Sequence, residues 1–323
     1  MGKCGKGGAY ETPISSFAMR LLLCRPEGGL NDILSEIGKC MKYCDRYDRK
    51  LIVETDTAMH EHFKDSFAYY FTSTNPNYIF DAADYRSQFD HLTVRPPSIQ
   101  GRVNDYSKLD RSKVAVTFDF NVDHSELLLV HHQNGRQKKR NAIYALSNLV
   151  LNAELSSALK QRLEKLGNSY TAYHVRSTDY QTDFKQGVLK TAASISGPIF
   201  LATDNIDVVT FFETVFGSQR LFHFSDLPSE AGQPVHYAPA ISDMRQRNTD
   251  AILDLFTLAL AKTYFFFPRI MKSFQILPSY SGFSSLAARL RAQPEILQHA
   301  LPRDFLKPSS KAAFFRNLRW RYF

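Results

Sequence analysis

Residues 170–183 carry the densest run of chemically useful side chains in the chain. Residues 170–175 alternate and are rich in β-formers, which predicts a strand. That strand runs straight into His174, Arg176, Ser177, Thr178, Asp179, Tyr180, Thr182 and Asp183. A helix is predicted to follow over residues 184–194. Polar residues crowded between a strand end and a helix mark the usual ligand address of an open α/β sheet. An arginine there can hold a phosphate by two parallel hydrogen bonds, and the helix N-terminus adds a favourable field. The same residues could instead form a surface turn with a local Arg–Asp pair.

Two further polar clusters follow predicted strands. Residues 198–203 end in Thr203 and Asp204, and residues 281–285 read Ser-Gly-Phe-Ser-Ser. Another acid, Asp254, falls on a helix predicted over 249–262. In a doubly wound sheet these groups can face one crevice. The set joins phosphate-binding groups to carboxylates. It holds no clear nucleophilic dyad, and no D-x-D triplet occurs in the chain, which argues against a metal-dependent nucleotide-sugar site.

The elements that must position these groups alternate. In the first half, residues 19–24 read as a strand and 25–31 as a loop containing Gly28 and Gly29. Ile33, Leu34, Ile37, Met41 and Cys44 then give helical spacing over 30–47, and 51–53 is a second strand. The glycine pair lets backbone approach a ligand closely, or simply makes a tight turn; it is no G-x-G-x-x-G fingerprint. Residues 56–111 are irregular and aromatic-rich, 114–120 and 127–131 read as strands, and 141–166 as one helix. The basic run 137–140 is a solvated loop or an anion site.

The second half alternates more clearly. Strands are predicted at 170–175, 198–203, 220–224 and 264–267, and helices at 184–194, 208–216, 249–262 and from 284, with a long loop over 228–244. Repeated β–α alternation predicts parallel sheets with helices on both faces and a cleft between two units. The expected division is 1–150, 151–300 and a separate tail, 301–323. In that tail, residues 307–323 interleave Lys307, Lys311, Arg316, Arg319 and Arg321 with aromatics, which suits an anionic membrane surface or a helix packed back on the body.

Composition sets broad bounds. The 323 residues suffice for two domains, and a net charge of +8 favours anionic partners. No recognised nucleic-acid motif accompanies that charge, so nucleic acid is not an expected partner. The four cysteines, Cys4, Cys24, Cys40 and Cys44, complete no zinc spacing and fit a reducing compartment. Residues 251–268 are apolar but interrupted by Asp254 and Lys262, which predicts a buried helix and strand rather than a membrane span.

The run His174-Val-Arg-Ser-Thr-Asp179 resembles the H-V-R-x-T-D motif of the α1,6-fucosyltransferase superfamily. Gly28-Gly29-Leu30 with its helix, residues 199–204 (I-F-L-A-T-D), residues 251–254 (A-I-L-D) and Ser284-Ser285 resemble further family segments in the same order. The resemblance implies a GT-B fold: α/β, two Rossmann-like domains with a cleft between them. It implies an inverting glycosyltransferase that works without metal or cofactor. The donor would be a GDP-sugar, foremost GDP-fucose, and the acceptor a glycan or lipid-linked glycan of a bacterial surface polysaccharide or lipopolysaccharide. By the same resemblance, Arg176 grips the β-phosphate, His174 and Asp254 contact the guanine end, and Ser284 and Ser285 donate to phosphate. Gly28 and Gly29 lie beside the donor, and Asp204 positions it.

The chain departs from the family at its carboxylate. Where the motif continues to Glu, the nearest position here is Phe184, with Asp183 one place earlier, and a motif Lys is Tyr180. Asp183 is therefore expected as the catalytic base, with Asp204 or no single base as alternatives, while Asp179 braces Arg176. Another sugar nucleotide, or a nucleotide- or glycan-binding protein with a degenerate site, remains the alternative function. The expected location is cytoplasmic, at or near the inner face of a membrane.

Overall fold

The βαβ opening consists of β1 (Leu21–Glu27), α1 (Leu30–Tyr47) and β2 (Lys50–Val53). The computed structural model describes residues 19–57, 63–105, 116–134, 139–167, 169–178, 181–227, 243–270, 279–302 and 305. β1 and β2 pair in parallel, Leu22 beside Leu51 and Cys24 beside Val53. Ile33, Leu34, Ile37, Met41 and Cys44 are all buried, so one apolar stripe holds α1 to the sheet. Each such Leu or Ile contributes about 1.5–3 kcal/mol. Asp48 adopts φ 49° and its N–H reaches the Cys44 carbonyl, which closes the helix.

The chain continues through β3 (Phe71–Thr72), β4 (Tyr78–Ile79), α2 (Arg86–Phe89), β5 (Val94–Arg95) and β6 (Leu128–Asn134). The first sheet has the order β4-β2-β1-β6-β5 and is parallel throughout. β1 runs past the expected loop start at Arg25, because β6 pairs with it as far as Glu27 beside Asn134. The buried Arg25 side chain is held by Glu54 at 2.5 Å and donates to the Val103 carbonyl. Of the strand expected over 114–120, the described residues form only a bridge from Val116 to His132.

The single helix expected over 141–166 is two: α3 (Lys139–Leu146) and α4 (Ala153–Leu166), separated by β7 (Val150–Leu151). β7 pairs antiparallel with β3, and the Asn152 side chain then caps α4 by accepting from the Leu155 N–H at 2.8 Å. α1 packs against α3 at Gly38, where a Cβ would sit 1.9 Å from the Asn141 carbonyl oxygen.

The second sheet is built from β8 (Thr171–Val175), α5 (Phe184–Ala192), β9 (Ile199–Thr203), α6 (Ile206–Phe216), β10 (Leu221–Phe222), α7 (Met244–Leu260) and β11 (Thr263–Phe266). Its order is β10-β9-β8-β11, again parallel. Tyr173 and Val175 pack with Val188 and Phe212 on one face, while Ala172 joins Ile252 on the other. α7 starts earlier than expected because Asp243 caps it, accepting from the Arg245 and Gln246 N–H groups. The chain then adds α8 (Gly282–Arg291) and α9 (Pro294–Ala300).

One apolar core joins the two sheets, running from Leu22 and Ile37 through Leu146 and Leu286 to Ile252 and Ala172. α8 lies between the halves, against α7 on one side and α1 and α3 on the other. Cys24, Cys40 and Cys44 are buried and free. No helix of the described residues is long and apolar enough to cross a membrane. The tail over 307–323 lies outside the described residues.

Candidate functional site

A cavity of about 530 Å³ opens between the two sheets, at the carboxyl ends of β1, β8 and β9. That size is within the about 300–1,000 Å³ of small-molecule sites. β8 has β9 on one side and β11 on the other, so the cavity meets the switch point of the second sheet.

One wall is the β1–α1 turn, Gly28 to Asp32. Gly28 has φ 102°, a conformation side chains disfavour. Gly29 stands at the N-cap with no side chain to occupy the helix start, which leaves the positive end of α1 facing the cavity. The start of α8 meets this turn: a Cβ on Gly282 would lie 3.2 Å from the Asn31 amide nitrogen. Among the described residues, Asn31 Oδ1 and the buried Ser281 Oγ find no hydrogen-bond partner.

The opposite wall carries His174 and Arg176 from the end of β8, and Thr203 and Asp204 from the end of β9. Asp204 holds the loop after β8. Its Oδ1 accepts from the Ser177 N–H at 2.8 Å, and its Oδ2 accepts from the Thr178 hydroxyl at 2.6 Å. Arg176 Nε lies 3.9 Å from that same Oδ2. His174 Nδ1 is 2.5 Å from Ser284 Oγ, and its ring is 5.2 Å from that of Phe283. Burial, and then Arg176, push the imidazole down to about 3, so it is neutral at ordinary pH.

The far end is built by α7 and the 225–227 segment. Asp254 and Asp250 share the Arg162 guanidinium, Nη1 to Asp254 at 2.7 Å and Nη2 to Asp250 at 2.6 Å. The Ser225 hydroxyl donates to the second Asp254 oxygen at 2.8 Å. Burial pushes Asp254 up to about 6 despite the opposing pull of Arg162. Arg247 adds a second cation, and burial lowers its pKa. Phe63 is fixed here because the Asn248 amide donates to its carbonyl at 2.6 Å.

Of the residues given a site role from the sequence, six line one cavity: Gly28, Gly29, His174, Arg176, Asp204 and Asp254. Others do not. Ser284 and Ser285 are absent from the lining; Ser284 is buried and holds His174 from behind. Asp183, expected as the base, is exposed at the N-cap of α5 and does not line the cavity. Asp179, expected to brace Arg176, lies outside the described residues, and Asp204 makes the bracing contacts.

Asp32, Phe63, Arg162, Arg247 and Asp250 escaped the sequence reading. Asp32 had a legible signal, an acid in the first helical turn after a glycine pair. Arg162 had none, since it sits among Lys160, Gln161 and Glu164 as on any solvated face.

Two parallel sheets with a cavity at their facing carboxyl ends that carries both charged and apolar side chains define an α/β protein of the GT-B class. Among solved structures, the chain resembles the α1,6-fucosyltransferase NodZ soaked with GDP-fucose, with TM-score 0.57 and 17% identity over 84% of this chain and 92% of that one. NodZ from Bradyrhizobium matches with TM-score 0.54 and 17% identity over 84% and 93%. POFUT1 in complex with GDP-fucose matches with TM-score 0.50 and 11% identity over 85% and 94%. These likenesses establish the shared fold. No protein-family model matches the sequence, and no curated protein matches it.

Proposed function

We propose that the cavity binds a GDP-sugar and that the chain is an inverting, metal-independent glycosyltransferase, with GDP-fucose as donor and a glycan as acceptor. The observation that carries this reading is Arg176 at the end of β8, held by the Asp204 loop and facing the N-terminus of α1 across the cavity. Breaking a sugar–diphosphate bond builds negative charge on the diphosphate, and a fixed guanidinium beside a helix start stabilises that charge. Arg247 adds to the same field. The Gly28–Gly29 turn lets backbone approach the phosphates closely. Asp254 at the far end suits the donor edge of guanine, and the neutral His174 ring with Phe283 suits a flat base. The fold shared with NodZ soaked with GDP-fucose supports the choice of donor. The bacterial surface glycan expected from the sequence is the first acceptor class to try.

Incubation of the protein with radiolabelled GDP-fucose and glycan acceptors tests the reading. Labelled product in excess EDTA is expected. GDP binding without any GDP release or product would favour the second reading, a nucleotide-binding protein with a degenerate site. The motif departures at Tyr180 and Phe184, together with the exposed Asp183, motivate that alternative.

A further inference from the structure

Inverting transfer to a hydroxyl benefits from a carboxylate on the open side of the donor. Five aspartates line the cavity. Both oxygens of Asp204 accept hydrogen bonds from the loop after β8. Asp250 and Asp254 share Arg162, and Asp254 also accepts from Ser225. Asp226 is exposed. Asp32 is the one of these five that comes from the first sheet's side of the cavity. It lies on the β1–α1 wall, across from Arg176, with the Asn31 amide 3.4 Å from its Oδ1. It is the third residue of α1 and reaches back to the Gly29 backbone, as in half of a capping box.

We propose that Asp32 is the general base of the transfer, supplied by the wall that faces the donor-holding Arg176. This rests on the GDP-sugar reading above. The acceptor hydroxyl oxygen attacks the anomeric carbon while its proton passes to an Asp32 carboxylate oxygen. The bond from that carbon to the β-phosphate oxygen breaks, and its electron pair leaves with GDP. Asp32 then returns the proton to solvent. Burial makes the carboxylate a better proton acceptor, raising its pKa above the ordinary value; Glu36 one turn along adds to this, and Arg176 opposes it.

The test is Asp32→Asn, which keeps the shape and can still accept from the Gly29 N–H. Two quantities are measured: GDP affinity by calorimetry, and GDP release from GDP-fucose with water as the acceptor. Turnover is expected to fall about 10²- to 10⁴-fold. GDP affinity should stay within about twofold, as befits a group that acts only in the chemical step. The acid limb of the wild-type pH–rate profile should vanish in the variant, and Asp32→Glu should recover part of the rate. Turnover within about threefold of wild type, or parallel losses in turnover and GDP affinity, would reduce Asp32 to a helix cap and sink the proposal. Failure of the wild-type protein to bind GDP would overturn the GDP-sugar reading and this inference together. A wild type that binds GDP but releases none from GDP-fucose, with water or with glycan acceptors, would overturn transfer, and the base with it.

Discussion

Arg176 and Asp204 work as a pair, with Asp204 holding the backbone turn from which Arg176 projects. Arg176→Ala should lower turnover about a hundredfold, as for loss of one fixed donor to developing charge. Its melting temperature should stay near wild type, because the side chain is partly exposed and contributes no core. Arg176→Lys should also be poor, since a point charge does not reproduce the planar fork. Asp204→Asn should weaken GDP affinity and turnover together; turnover lost at unchanged affinity would assign Asp204 to the chemistry instead. His174 gives a pH signature. Its imidazole is held down to about 3 in the folded protein, whereas an unfolded histidine protonates near pH 6.5. Its contribution is therefore present above pH 6.5 and is lost as pH falls toward about 3. Asp254, pushed up to about 6, acts with the opposite sign: its contribution is present at low pH and is lost as pH rises through that value. Urea denaturation of His174→Asn should show a shallower acid loss of stability than wild type; an identical slope would contradict the burial of a neutral His174. At this scale, the sequence revealed groups that cluster at a strand end, such as His174 and Arg176. It hid Arg162, whose role exists only because α4 lies against α7.

Among the elements, α1 was readable to its ends because its apolar stripe and its glycine start are local signals. The break between α3 and α4 was not. Two residues, Val150 and Leu151, form a strand only because β3, far away in sequence, offers them a partner. The described part of the irregular region 56–111 is likewise organised by distant contacts, such as the Asn248 amide on the Phe63 carbonyl and Arg245 on Asp65 at 3.0 Å. Asn248→Ala should therefore destabilise by about 1–3 kcal/mol, the effect of orphaning buried polar groups. It should also weaken GDP binding, since Phe63 lines the cavity. Gly38→Ala places a carbon against backbone at the α1–α3 contact and should destabilise by about 3 kcal/mol. Chemical denaturation checks both; a neutral Gly38→Ala would mean that the two helices separate freely.

For the whole molecule, alternation of strands and helices foretold parallel sheets, and the polar strand ends foretold the mouth they share. How the halves meet was not foretold, because α8 belongs by sequence to the second half and packs by its surface on both. Turnover should survive excess EDTA, since the proposed donor charge is met by Arg176, Arg247 and the α1 start. Activity abolished by chelation and restored by Mg²⁺ or Mn²⁺ would replace that mechanism. The proposed GDP-sugar site makes calorimetric titration with GDP decisive, with UDP as the control and Arg176→Ala as the reference. Saturable one-to-one binding of GDP, little with UDP and a large loss in Arg176→Ala are predicted. No binding of GDP, or equal binding of GDP by the wild type and Arg176→Ala, would contradict it.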